Sequence, residues 1–175
     1  MWLTHNLHES GSKHPKISRL CSIVDQQLRK KPNSTMIIFA NYRDSVKEIV
    51  SVLENVSGAK PVSFVGQREG ITQKDQAKVL NDFKEGLYNV LVATSVGEEG
   101  IDIPDMDMAM FYEPVPSGIR SIQRRGRVGR TKIGRVIVLI TKNTRDEGYY
   151  WSAFHKEKRM KTVLYQMKKG FKGSF

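Results

Sequence analysis

The stretch MIIFANYRDSVKEIVSVL, residues 36 to 53, decides the fold. It opens on Met36 to Ala40, a continuous run with no polar residue, which is the pattern of a strand covered on both faces. After a short polar break, Val46, Ile49, Val50 and Leu53 recur at the spacing of three and four residues that makes one apolar stripe on a helix. A buried strand leading straight into an amphipathic helix is the repeating unit of an α/β sheet.

The same alternation continues in both directions. Residues 61 to 65 (PVSFV), 90 to 93 (VLVA), 108 to 112 (MAMFY) and 135 to 141 (RVIVLIT) predict four more strands. Ile17, Leu20, Cys21, Val24 and Leu28 predict a helix before the first strand, and Gln76, Val79, Leu80 and Phe83 one before the third. Thr72 and Asp75 resemble a capping box, and Gly86 stands where the latter helix should stop. The expected architecture is one open, mainly parallel α/β sheet, whose ligands gather at loops beyond the carboxyl ends of its strands. Asn41 to Asp44, Gly66 to Arg68 and Thr94 to Asp105 occupy those loops.

A chain of 175 residues is long enough for one domain with its own core. The expected domain covers residues 14 to 165, after a polar lead-in over 1 to 13 and before a basic tail over 166 to 175. The formal net charge is +11, and it is unevenly spread. Residues 120 to 135 carry seven basic side chains and no acid, residues 142 to 175 carry nine basic against three acidic, and the remainder is slightly negative. Positive charge gathered at one end of a sequence is expected of a surface that meets a polyanion.

Cys21 is the only cysteine, which excludes an intramolecular disulfide and a cysteine-based zinc site. His5 and His8 have ligand-like spacing but no further His or Cys partner close in sequence, so no metal site is expected. The longest apolar run, around Val136 to Ile140, is too short to span a bilayer, and the amino end lacks a signal-peptide layout. A soluble, intracellular, cytoplasmic setting without membrane association is the expectation.

Two motifs carry chemistry. In ATSVGEEGIDIPD, residues 93 to 105, the hydroxyls of Thr94 and Ser95 precede Gly97 and Gly100, glycines that let backbone amides approach a phosphate. Asp102 lies between Ile101 and Ile103, and a carboxylate there suits a ribose hydroxyl. An ordinary strand-to-helix loop with a glycine hinge is the competing reading of this segment alone. In QRRGRVGR, residues 123 to 130, Gln123, Arg127 and Arg130 share one face if the segment is helical, presenting an amide and two guanidiniums to one target. The planar fork of arginine suits phosphate geometry, although a solvated basic helix would show the same residues.

Taken together, MIIFANYRDS, VLVATSVGEEGIDIPD and QRRGRVGR resemble motifs IV, V and VI of superfamily 2 helicases in order and separation. FVGQ, FYEPVPSGIRSIQRRGRVGR and TRDEGYYW extend that resemblance to the archaeal Hef helicases and their FANCM and Mph1-type relatives, over roughly residues 14 to 160. It implies a RecA-like fold with helices on both sheet faces, the second motor lobe of a DNA-remodelling ATPase. By the same resemblance Asp102 and Gly100 serve the nucleotide, Gln123 helps arrange the γ-phosphate and attacking water, and Arg127 and Arg130 are arginine fingers. Thr94, Ser95 and Gly97 would hold the backbone of a tracked strand, with Arg43 and Gln67 in loops facing nucleic acid. For Arg43 and Gln67 a solvated surface role is an equal alternative. Tyr149, Tyr150 and Trp151 either stack on bases or pack the last helix against the sheet.

No stretch matches GxxxxGK followed by Ser or Thr, and no Walker B acid pair follows a suitable strand. Asp146 and Glu147 imitate such a pair but belong to the TRDE segment. The resemblance therefore implies ATP and Mg2+ held mainly by an N-terminal RecA-like lobe outside this sequence, and this chain by itself is expected to hydrolyse no ATP. The expected partners are that lobe and single-stranded or forked DNA, with RNA as an alternative because motifs IV to VI do not separate the two. A nucleic-acid-binding module without ATPase activity is the reading from a different class. The REGITQKD loop is shorter than its counterpart in typical Hef proteins, which leaves its contacts open.

Overall fold

Met36–Phe39, four successive residues buried on both sides, form β1, the central strand of the sheet. The structure is a computed structural model and describes residues 15–66, 72–94, 105–114, 133–148 and 150–152. Its elements run α1 (Pro15–Lys30), β1, α2 (Arg43–Leu53), β2 (Pro61–Phe64), α3 (Gln73–Lys84), β3 (Val90–Ala93), β4 (Met106–Phe111) and β5 (Ile133–Val138). All four strand pairings are parallel, in the order β2-β3-β1-β4-β5.

The pleat of β1 divides the core into two layers. Met36 and Ile38 join Val90, Val92, Met108 and Met110 beneath α1 and α2, which contribute Ile17, Leu20, Val24 and Leu28 and then Val46, Ile49 and Leu53. Ile37 and Phe39 face the other way with Leu91, Ala109 and Phe111, under Phe83 of α3. Helices thus cover both faces, as expected for a RecA-like lobe. On α3 only Phe83 is fully buried, while Val79 and Leu80 pack from the rim. The capping box is present: the Thr72 hydroxyl accepts from the Asp75 N–H and the Asp75 carboxylate accepts from the Thr72 N–H. Gly86 ends the helix with φ +81°, a left-handed conformation that glycine adopts without a Cβ penalty.

Two strands differ in extent from the sequence expectation. β4 starts at Met106 rather than Met108, because Asp107 is accommodated within it: its carboxylate accepts from the Thr35 N–H at 3.0 Å and from the Lys31 ammonium at 2.6 Å. Desolvation pushes the Asp107 carboxyl up, but those two donors hold it below the usual carboxylate range. β5 runs Ile133–Val138 rather than 135 to 141. It begins early because Gly134 lets the strand close on the Asp107 carbonyl oxygen, which a Cβ would meet at 2.8 Å. The chain leaves the ladder past Leu139, and the Thr141 N–H turns to the Asp146 carboxylate at 3.4 Å.

Candidate functional site

The strand order places one crevice at the carboxyl edge. From β1 the chain goes towards β2 and returns through β3, whereas β4 leads outward to β5. Connections that diverge from neighbouring strands leave a gap above them, where α/β proteins bind ligands. Here the gap lies above β1 and β4, and a cavity of about 840 Å³ opens there. Among the described residues Asn41 and Tyr42 line it from the loop after β1, Glu113 and Pro114 from the loop after β4, and Arg145, Asp146 and Ser152 from the last helical segment.

Glu113 joins two sides of this crevice. Its carboxylate accepts from the Asn41 N–H at 2.8 Å and from the Ser45 hydroxyl at 3.5 Å. It thereby supplies negative charge at the amino end of α2, whose N-cap Tyr42 offers no side-chain cap. Burial raises the Glu113 carboxyl above its ordinary pKa, the nearby Asp146 charge adds to this, and the Asn41 N–H and Lys16 ammonium oppose it. The native state consequently holds more protons than the unfolded chain between the ordinary glutamate pKa and the raised value, so stability falls as pH rises through that window. Urea midpoints across pH 4 to 8 should decline for the wild type relative to Glu113→Gln just above the ordinary glutamate pKa of about 4.3. Parallel profiles for the two proteins would contradict this.

Beside Glu113, the Lys16 ammonium pairs with Asp146, donates to the Tyr112 carbonyl at 3.0 Å and lies 5.4 Å from the Tyr112 ring centroid. This ties the start of α1 to the end of β4 and to the segment after β5. Burial, with the charges of Glu48, Glu113 and Asp146, pushes the Tyr112 hydroxyl up to about 12, so it stays protonated. Asp146 is engaged by Lys16, and Glu147 accepts from the Asn143 N–H at 2.9 Å, so both acids of TRDE have structural partners. Among the described residues no group of three or more His, Cys, Asp or Glu side chains could hold a metal ion. No helix among them is long and apolar enough to cross a membrane.

Of the site residues expected from sequence, Arg43 and Thr94 lie in the described structure. Both follow strands at the same edge, since Phe39 and Ala93 are register partners on the adjacent β1 and β3. The Arg43 guanidinium donates to the Gly66 carbonyl at 3.0 Å, Gln76 donates to the Val65 carbonyl at 2.9 Å, and the Thr94 N–H donates to the Phe64 carbonyl at 3.4 Å. The loops after β1, β2 and β3 are therefore laced into one surface. Arg43 is half-buried and bonded rather than simply solvated. Gln67, Ser95, Gly97, Gly100, Asp102, Gln123, Arg127 and Arg130 lie outside the described residues, as do His5, His8 and Tyr149. Trp151 is 48% exposed and meets Tyr150 edge-on at 5.4 Å, so it is not sealed against the sheet. Lys16 and Glu113 were not singled out from the sequence. Glu113, a carboxylate directly after an apolar strand, carried a local cue, whereas the partner of Lys16 is 130 positions away.

Comparison with known proteins places this geometry. Residues 15–132 match the helicase conserved C-terminal domain family. A protein of Methanocaldococcus jannaschii that carries the provisional name of an ATP-dependent RNA helicase is 48% identical over 166 residues, covering 92% of this chain and 21% of its own length. The ATP-dependent DNA helicase mph1 of Neurospora crassa is 39% identical over 144 residues, covering 78% of this chain and 12% of its own. The crystal structure of the Pyrococcus furiosus Hef helicase domain superposes with a TM-score of 0.73 at 54% identity, over 84% of this chain and 30% of that one. This chain thus spans a third or less of the length of each.

Proposed function

The chain belongs to the helicase conserved C-terminal domain family, and from that premise we propose that it is the second motor lobe of an ATP-dependent DNA helicase or translocase acting on branched or forked DNA. The observation that carries this reading is the convergence of Arg43 and Thr94 at the carboxyl ends of adjacent central strands, in loops joined by the Arg43–Gly66 and Thr94–Phe64 hydrogen bonds. In this reading the lobe covers residues 14 to 165. Thr94, Ser95 and Gly97, with Arg43 and Gln67, hold the phosphodiester backbone, contacts that position a strand without reading its bases.

Gly100 and Asp102 meet the nucleotide, Asp102 accepting from the ribose hydroxyl. Gln123 orients the attacking water, and Arg127 and Arg130 stabilise charge that develops on the transferred phosphoryl group. ATP and Mg2+ are bound mainly by the N-terminal RecA-like lobe of the parent protein. This fits the lack of a GxxxxGK[ST] stretch in the chain. The chain alone is accordingly inactive as an ATPase.

Steady-state ATP hydrolysis by the full-length parent tests the reading, with forked DNA, single-stranded DNA and RNA as the added strands. Stimulation by DNA, strongest with forks, is expected. Stimulation by RNA alone would favour an RNA helicase, in keeping with the name carried by the M. jannaschii relative. No hydrolysis with any strand would leave a binding module without ATPase activity.

A further inference from the structure

α1 presents two stripes. Ile17, Leu20, Val24 and Leu28 enter the core, while Arg19, Ile23, Gln26 and Lys30, again at spacings of four, three and four, look out beside the edge strand β5. Between that second stripe and β5 lies a groove of about 270 Å³. Arg135 of β5 completes its rim and Ile137 and Leu139, on the same face of the sheet, its floor, and no acidic residue is among its described lining. The other basic residues of this region are engaged: Lys16 with Asp146, Arg29 with Asp25 and Lys31 with Asp107. Arg19, Lys30 and Arg135 make no such pair among the described residues and are exposed. Three cations and an amide therefore converge on one concave surface, with no carboxylate beside them among the described residues.

We propose that this groove is a second nucleic-acid contact, in which Arg19, Gln26, Lys30 and Arg135 hold a phosphodiester backbone apart from the strand-end loops. Arg19 and Lys30 are eleven positions apart, roughly 16 Å along a helix, which spans several phosphates at a rise of about 3.4 Å per nucleotide. β5 lies two strands from β1, roughly 10 Å across the sheet. A strand held at Arg43 and Thr94 thus leaves the groove open to another arm or strand of the same branched substrate. The apolar floor and the guanidiniums suit a sugar-phosphate track, with no group placed to read base edges. This inference rests on the proposed motor function for its choice of polyanion, but its test does not require hydrolysis.

The test is binding of labelled forked, duplex and single-stranded DNA to the full-length parent over a range of salt concentrations, comparing wild type with Arg19→Gln/Lys30→Gln/Arg135→Gln. Removing each phosphate contact should lower the steepness of log K against log salt by about 0.9 on duplex and about 0.7 on single strands. The triple variant should therefore show a slope shallower by about two to three, with affinity for forks reduced about tenfold or more at low salt. A loss confined to duplex and forked DNA would assign the groove to a duplex arm, and a loss on single strands as well to an unpaired strand. Arg135→Gln alone, with a slope change of about one, serves if the triple variant folds poorly. Arg29→Gln, which removes a cation already paired with Asp25, should leave the slope near that of wild type. Unchanged slopes in the folded triple variant would overturn the proposal even if DNA stimulates hydrolysis. Failure of DNA to stimulate hydrolysis, together with the expected slope change, would instead overturn the motor reading and keep the groove.

Discussion

Arg130→Ala in the full-length parent should lower DNA-stimulated ATP turnover by about a thousandfold or more, which is roughly 4 kcal/mol of transition-state stabilisation. In the proposed mechanism the guanidinium meets charge that exists only as the phosphoryl group transfers, so the loss should fall on kcat more than on KM. Arg130→Lys should recover little, because an ammonium cannot reproduce two parallel donors aimed at phosphate oxygens. DNA affinity in the absence of ATP should change by far less than turnover. Steady-state kinetics alongside DNA binding would check both parts. A variant that keeps a tenth of wild-type turnover would remove Arg130 from the proposed catalytic role.

The second large effect concerns the core beneath the site. Phe111 is fully buried at the end of β4 and stacks on Phe39 of β1, with ring centroids 5.0 Å apart and planes at 24°. Phe111→Ala should destabilise the domain by about 3–5 kcal/mol, because the cavity it leaves opens on the sheet face under α3, where the hydrogen-bonded strands cannot move to fill it. Urea denaturation should show a lower midpoint with an unchanged m-value. Phe111→Leu should cost much less, roughly 1.5 kcal/mol, since it keeps most of the volume. Similar losses for both substitutions would show that ring stacking on Phe39, rather than filled volume, sets the stability there.

The depth of each strand in the sheet explains which parts of the fold were legible. β1 and β3 are buried throughout, and their apolar runs, Met36–Phe39 and Val90–Ala93, carry that fact openly. β4 and β5 were misjudged at their amino ends because Asp107 and Gly134 look like breakers in isolation. Asp107 is compensated by Thr35 and Lys31, more than 70 positions earlier, and Gly134 by its close approach to Asp107. The helical stripes of α1 and α2 identified their core faces, while α3 carries a weaker stripe and buries less.

For the candidate site, the loops were legible because apolar strands end visibly at Ala40, Phe64 and Ala93. The ties between them were not. Lys16 meets Asp146 only through tertiary packing, and no spacing rule links residues that far apart. The charge count also hid the groove. Arg19 and Lys30 belong to a part of the sequence whose net charge is slightly negative, and become part of a basic surface only when α1 lies beside Arg135.

The position of β1 also bears on how the chain matures. The central strand emerges first of the five during synthesis, yet Met36 pairs with Val90 on one side and Met108 on the other. At roughly 5 to 20 residues per second, the ribosome needs about 4 to 14 s to deliver the second partner. During that interval β3 can pair with one edge of MIIF, but the edge that β4 will cover stays open. The strand made first is therefore not completed until β4 arrives, and the sheet closes only once residues far along the chain are in place.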